Sequence, residues 1–305
     1  MHVPPIAGAA LAPISLPESR AAAQNGPQLV HLKDGYIPQG QGYDAGRGQI
    51  LTSYYKSEVN QDKDPNNDGV LLSIQDKNSQ GREEVKNVRL VGGSAENMCA
   101  ISPDKGGGVA TDGKYVYLAD TEAVYVYRRE DIDRAGDGAA VQPAWINRMP
   151  EGQNASYIAV KDGQAYVGQF STPQNDSFPD QGYLTRFDID PKGAFVNPSE
   201  KVEIPDFTQG VAVTDRGLLF TTSYGTKQDS DLLFQAYGTD PQRFDLAAPE
   251  QARKVGDIDD YAEGLNIIDG EVWVTYESAA DEYKSRPGPE HDHIQRIPLN
   301  RLQGF

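Results

Sequence analysis

The chain has 305 residues, with 45 Asp and Glu against 28 Lys and Arg and a formal net charge of −17. Such acidity excludes a basic face for nucleic acid and for anionic membranes, and its plainest meaning is solubility. One cysteine, Cys99, excludes an internal disulfide and a cysteine-built zinc site, and no apolar run reaches the roughly 18 residues of a membrane span.

Residues 1–25 are rich in small residues and proline, without the basic start and apolar centre of a signal peptide. They read as a disordered or extended leader, or as the trimmed start of an exported chain, "AAAQ" being a faint cleavage signal. The expected location is extracellular or periplasmic. Residues 26–305 read as a single domain.

That domain opens with "PQLVHLKD", from Pro27, a strand with no partner near it in sequence. Five similar phrases follow: "PQGQGYDAGRGQILTSYY" from Pro38, "GGGVATDGKYVYLAD" from Gly106, "ASYIAVKDGQAYVGQF" from Ala155, "TQGVAVTDRGLLFTTSY" from Thr208 and "AEGLNIIDGEVWVTYE" from Ala262. Each is a short apolar strand, a glycine turn and a second strand rich in β-branched and aromatic residues, which is hairpin grammar. A third strand follows each: "GVLLSIQ", "AVYVYR", "GYLTRFD", "DLLFQAY" and "HIQRIPL". "EVKNVRL", "AVQPAWINRM", "FVNPSEKVEI" and "ARKVGDI" supply a fourth in all but the last. The corresponding positions Gly40, Gly108, Tyr157, Gly210 and Gly264 recur at roughly 50 to 70 residues, the period of β-propeller blades. The pattern predicts an all-β, five-bladed propeller, closed by the Pro27 strand completing the last blade. Six blades are the alternative, from splitting the long first unit. Helix is limited to a turn or two in "DLAAPEQARK" from Asp245.

In a propeller the loop leading into each innermost strand and the loop after each second strand share one face. The lead-in positions are Gln39, Gly107, Ser156, Gln209 and Glu263, with Asn154 close by. The positions after the second strands are Tyr54 and Tyr55, Asp120, Gln169 and Phe170, Tyr224, and Tyr276 and Glu277. Aromatic walls with a few polar groups are what small-ligand sites look like. Glu263 stands out because its counterparts are Gln, Gly, Ser and Gln. It fits a general acid or base with a raised pKa, a cation anchor, or a hydrated channel carboxylate. Glu263, Tyr224 and Tyr276 are the expected catalytic residues. Gln39, Tyr54, Tyr55, Asp120, Asn154, Gln169, Phe170, Gln209 and Glu277 are the expected substrate-binding residues. Long polar loops after the second strands of the first, third and fifth units are material for a rim.

No cofactor is required by these residues. "DPNNDG" sets Asp64, Asn66, Asp68 and Gly69 in the first half of a calcium-loop pattern, but the twelfth position is Gln75 rather than Glu, and a plain turn explains the same letters. His291 and His293 would share one side of a strand, with no third ligand in view; His31 reads as structural. Nucleophile elbows, zinc-binding helices and phosphate loops are missing from the sequence.

The phrases "PQG…D…GRGQILTSYY" and "TQGVAVTDRGLLFTTSYG" resemble the blade openings of the broad gluconolactonase-like, strictosidine-synthase-like and NHL-type propeller group. The lactonase branch implies six blades and a channel calcium held by Glu, Asn or Asp at lead-in positions. Glu263 and Asn154 match that set, whereas Gln39 and Gln209 depart from it. Five-bladed arabinan-cleaving glycosidases and a sugar-binding lectin share the blade count, without a matching carboxylate triad or repeated sugar pockets here. The expected function is an exported, monomeric enzyme acting on a small molecule, of ester or lactone hydrolase or lyase or cyclase type. The alternatives are a non-catalytic glycan or small-ligand binder and a protein-interaction scaffold.

Overall fold

A computed structural model describes residues 23–56, 69–79, 84–93, 103–240 and 243–305. Cys99 and the calcium-like residues Asp64, Asn66 and Asp68 lie outside them.

Turn chemistry generates the hairpins. Asp162–Gly163 and Asp269–Gly270 all take positive φ, between 51° and 79°, which is the two-residue turn whose twist matches that of its strands. β1 is Gln24–Gln28. The first blade is β2 (Tyr36–Asp44), β3 (Gln49–Lys56), β4 (Val70–Asp76) and β5 (Lys86–Leu90). The second begins with β6 (Gly108–Thr111), β7 (Tyr115–Asp120) and β8 (Ala123–Arg128), followed by α1 (Arg129–Arg134) and β9 (Ala140–Val141), and ends in β10 (Trp145–Arg148). The third holds β11 (Tyr157–Lys161), β12 (Gln164–Gly168), β13 (Gly182–Ile189), β14 (Phe195–Val196) and β15 (Val202–Ile204). The fourth is β16 (Thr208–Val213), β17 (Gly217–Thr222), β18 (Asp231–Ala236) and β19 (Arg253–Asp257). The fifth is β20 (Ala262–Ile268), β21 (Glu271–Tyr276) and β22 (His293–Pro298), with β1 as its outer strand.

The inner strands touch in cyclic order, β2–β6–β11–β16–β20 and back to β2, so five blades close the ring. The repeated glycines explain how tightly. A Cβ on Gly40 would stand 2.5 Å from the Val109 nitrogen, and one on Gly108 would stand 2.6 Å from Tyr157 Cα. One on Gly210 would lie 2.8 Å from the Glu263 carbonyl, and one on Gly264 would lie 2.5 Å from the Gln41 nitrogen. Tyr157 takes the fifth place by laying its ring over Gly168, which has no Cβ to block it. Hydroxyls latch neighbouring blades at this level: Ser53 Oγ donates to the Gly106 carbonyl at 2.8 Å and Thr275 Oγ1 to Gln41 Oε1 at 2.8 Å.

The closing strand lies earlier than Pro27. Gln24 pairs with Arg296 and Gln28 with His293, while Leu29, Val30 and Leu32 leave the sheet and fill the seam between the fifth and first blades. Proline at position 27 lacks an N–H, which fits the irregular pairing there. Two predicted fourth strands are each split. In "AVQPAWINRM" only β10 pairs with β8; β9 crosses to run parallel with β5 of the first blade, Pro143 standing between the two pieces. In "FVNPSEKVEI", β14 and β15 pair with different ends of β13, separated by Asn197 at φ 51° and by Pro198. α1 was outside the expected pattern because six residues show no sustained helical period. Its buried Arg129 joins Asp44 Oδ2 at 2.8 Å and Asp133 Oδ1 at 2.8 Å, tying the first two blades together. The Asp245 stretch forms a single 3-10 turn at Pro249–Gln251. His293 lies in β22 and bonds Asp292, while His291 lies outside the strand and bonds Asp259, so the two do not share a strand face. His31, at φ 59°, belongs to the loop after β1.

Gly40→Ala and Gly264→Ala should each destabilise by about 1–3 kcal/mol or more, since the obstacle is backbone. Gly136→Ala, with nothing within 4 Å, should be neutral within about 0.5 kcal/mol. Urea unfolding of the three variants checks this; neutral neck variants would contradict the account of closure.

Candidate active site

Three of the lead-in residues sit in β-bulges. Pairing runs from Pro38–Tyr54 to Gln41–Thr52, from Thr208–Thr222 to Gly210–Thr221, and from Ala262–Tyr276 to Leu265–Val274, each with one extra residue on the inner strand. A bulge breaks the two-residue alternation and re-aims a side chain. Gln39, Gln209 and Glu263 are thereby turned onto the top of the ring, where they line a cleft of about 490 Å³. Phe207 and Tyr261, just before two of these strands, hold φ of 61° and 68°. Their carbonyls accept the amides of Ser223 at 2.8 Å and Glu277 at 3.1 Å, fixing lead-in to exit.

At the exits the pleat sorts neighbours. Tyr55, Phe170 and Glu277 line the cleft, and their predecessors Tyr54, Gln169 and Tyr276 turn away from it. Tyr54 is buried in the seam, its hydroxyl accepting the Val30 amide at 3.3 Å. Tyr276 packs in the core with its ring 4.4 Å from that of His291. Gln169 works behind the wall: its Nε2 donates to the Gln181 carbonyl at 2.9 Å and its Oε1 accepts the Asn154 amide at 3.3 Å. Tyr54, Tyr276 and Gln169 are therefore not cleft residues. Asp120, Asn154 and Tyr224 are.

The floor holds two carboxylates. Glu263 is buried, and desolvation together with the nearby Glu277 pushes its carboxyl well above the usual range. Desolvation likewise pushes Glu277 up to about 7, against the opposing pull of Lys105 and a hydrogen bond from Gln39. Gln39 Nε2 donates to Glu277 Oε2 at 3.1 Å and to the Pro38 carbonyl at 3.1 Å. Two carboxylates at one site do not ionise together readily, so the pair keeps a proton into the neutral range. Tyr283 also hydrogen bonds Glu277, and its hydroxyl lies 3.4 Å from that of Tyr55. Burial holds both phenols protonated.

Asp120 serves the loop that carries the facing cation. Its carboxylate accepts the amides of Asp104 at 2.6 Å, Lys105 at 3.3 Å and Gly106 at 3.4 Å. Lys105 was missed in the sequence although it directly precedes the glycine run, because nothing there shows a loop folded around one carboxylate. Tyr261, Tyr283, Arg286 and Lys227 were also missed. Tyr283 and Arg286 belong to the long fifth-blade loop, for which the sequence offered a rim but no residue choice.

The walls are aromatic. Phe170 lies 5.2 Å from Phe178 and 5.9 Å from Tyr224, and Tyr261 lies 5.3 Å from Tyr283. Calcium takes six to eight oxygens, and two carboxylates facing Lys105, with Gln39 already donating to one of them, do not fit it. Among the described residues no three His, Cys, Asp or Glu side chains group as metal ligands.

No family model and no curated protein matches the sequence. Among solved structures, the chain is similar to one in a nidogen/laminin complex, with a TM-score of 0.47, 8% identity and coverage of 86% of this chain and 83% of the other. It is also similar to one in Kuenenia stuttgartiensis hydrazine synthase, with a TM-score of 0.38, 9% identity and coverage of 86% of each chain. Among the described residues no helix is long and apolar enough to cross a membrane.

Two outcomes follow from this geometry. Asp120→Asn should speed amide hydrogen exchange at 104–106 by about tenfold, the scale of a charged hydrogen bond, while the other blades keep their protection. Glu277 titrates at 4.5 unfolded and about 7 folded, so it binds more protons when folded. Its contribution is fully present below 4.5 and is lost as pH rises through about 7. Glu277→Gln should therefore melt close to wild type in acid and above it in mild alkali, a gap that calorimetry across that range would measure. A gap constant with pH would contradict the raised carboxyl.

Proposed function

We propose that the top-face cleft performs acid–base chemistry on a small polar molecule, of the ester or lactone hydrolase type or a lyase or cyclase step. The observation that carries this reading is the buried Glu263–Glu277 pair on the floor of an aromatic cleft. Carboxylates whose pKa values are pushed towards the working pH are suited to proton transfer. In hydrolysis, ionised Glu277 takes a proton from the attacking water. Protonated Glu263 gives one to the leaving oxygen as the carbonyl–oxygen bond breaks. Proton exchange between the pair then restores the starting state. Lys105 and the Tyr55–Tyr283 hydroxyls supply positive potential and donors for the developing oxyanion. Gln39 positions Glu277, Gln209 and Asn154 face the substrate, and Tyr224 is a wall rather than a proton donor. An extracellular or periplasmic location belongs to this reading.

A second reading, a ligand-binding module without turnover, is favoured by the Phe170–Phe178–Tyr224 wall, where Phe178 is 39% exposed and free to stack on a ring. A panel of chromogenic esters and lactones separates the two. Glu263→Gln and Glu277→Gln should each lower kcat about 10²- to 10⁴-fold, with ligand affinity little changed. Turnover that survives both substitutions, or saturable binding without turnover across the panel, would sink the catalytic reading.

A further inference from the structure

The cleft runs against the charge of the chain. In a protein of net charge −17, Lys105, Lys227 and Arg286 all line this one cavity. Among the described residues none of the three forms a direct salt bridge with a carboxylate, although the charges of Lys105 and Arg286 both act on Glu277 through space. Two of them are held by aromatic faces instead. The Lys227 ammonium stands 4.7 Å from the Tyr224 ring centre and the Arg286 guanidinium 4.6 Å from that of Tyr283. Tyr224 follows the second strand of the fourth blade and Tyr283 lies in the loop after the second strand of the fifth, so the cations rise from adjacent blades. Stacking on a ring face orients each cation while leaving its N–H groups for an acceptor, and a stacked guanidinium keeps its planar fork.

The rest of the cleft narrows the choice of acceptor. Lys227 shares Tyr224 with the cleft wall, where the Phe170 ring lies 5.9 Å from it, while Phe207 backs Tyr224 at 6.0 Å without lining the cleft. A ring stacked on that wall brings its substituents towards Lys227 and Arg286. The acid pair on the floor carries residual negative charge, which disfavours a doubly charged group and leaves the mouth as the place for a single one. We infer that the cleft takes a flat-ringed carboxylate, its ring against Phe170 and Tyr224 and its carboxylate held at the mouth by Arg286 and Lys227. This rests on the cleft being the ligand site of the proposed function, and it adds the class of substrate. The reacting ester, lactone or hydroxyl then faces Glu263 and Glu277, to which Tyr283 links the Arg286 end of the cleft.

Matched pairs test it: naphthoate against naphthamide, and coumarin carboxylate against coumarin, titrated by calorimetry or intrinsic fluorescence. The carboxylate should bind about tenfold more tightly than its neutral partner, and added salt should shrink the difference. Arg286→Gln and Lys227→Gln should each lower carboxylate affinity about three- to tenfold and lower the affinity of the neutral partner by less, so that the ratio within each pair falls. Glu263→Gln should preserve the preference. Equal affinity within every pair, a preference that survives the Arg286→Gln/Lys227→Gln double variant, or no saturable carboxylate binding would each overturn the inference. The two proposals fail separately. A carboxylate preference beside undiminished turnover in Glu263→Gln removes acid–base catalysis alone. Turnover abolished in Glu263→Gln with no carboxylate preference removes the substrate class alone.

Discussion

Everything in this fold depends on how closely five backbones can meet. The inner strands converge until there is no room for a Cβ at Gly40, Gly108, Gly210 or Gly264, and at the fifth place Tyr157 escapes only because Gly168 yields its space. That neck fixes the ring size. It also divides the axis, since the upper cleft and the cavity below it, lined by residues such as Gln41, Thr111 and Asn266, share no lining residue. Glu263 owes its burial to this closure. It stands immediately before one neck glycine, and its own carbonyl is the atom that Gly210 crowds.

Much of this was legible in the sequence, and the reason is local. Glycine at a fixed place in four of the five repeats, glycine-containing turns and β-branched second strands are each decided within a few residues, so the hairpins and the blade count could be read directly. The lead-in residues Gln39, Gln209 and Glu263 were legible for the same reason, because they precede the glycines. Exit residues were legible only in pairs. Tyr54 and Tyr55, or Tyr276 and Glu277, look alike as letters, and the pleat alone decides which reaches the cleft. What escaped the sequence depended on contacts that no local pattern announces. β9 leaves its own blade to pair with β5, and Lys105 reaches the floor because Asp120, at the end of β7 in the same blade, gathers its loop.

The electrostatics of the cleft follow from the same layout. An acidic protein meets no difficulty in carrying carboxylates at its surface, but Glu263 and Glu277 are carried where water is scarce and where each raises the cost of ionising the other. Lys105 and Gln39 compensate in part; Gln39 comes from the adjoining first blade and Lys105 from the lead-in to the second. Such an arrangement costs stability at neutral pH, a cost concentrated in a few groups whose other contacts are well defined. Residues that are expensive for folding and precisely oriented towards a cavity are the ones in which a functional role is most readily tested.

The closing strand gives the fold an order in time. β1 is the first strand described along the chain, yet it pairs only with β22, near the far end, and together they complete the blade that carries both acidic residues. During synthesis β1 emerges early and has no partner until some 265 further residues have followed it. The first four blades can form their own hairpins while it waits, with its hydrogen-bonding edge open. Glu263 and Glu277 therefore sit in the one blade whose outer strand comes from the other end of the described chain, and their burial depends on that closure.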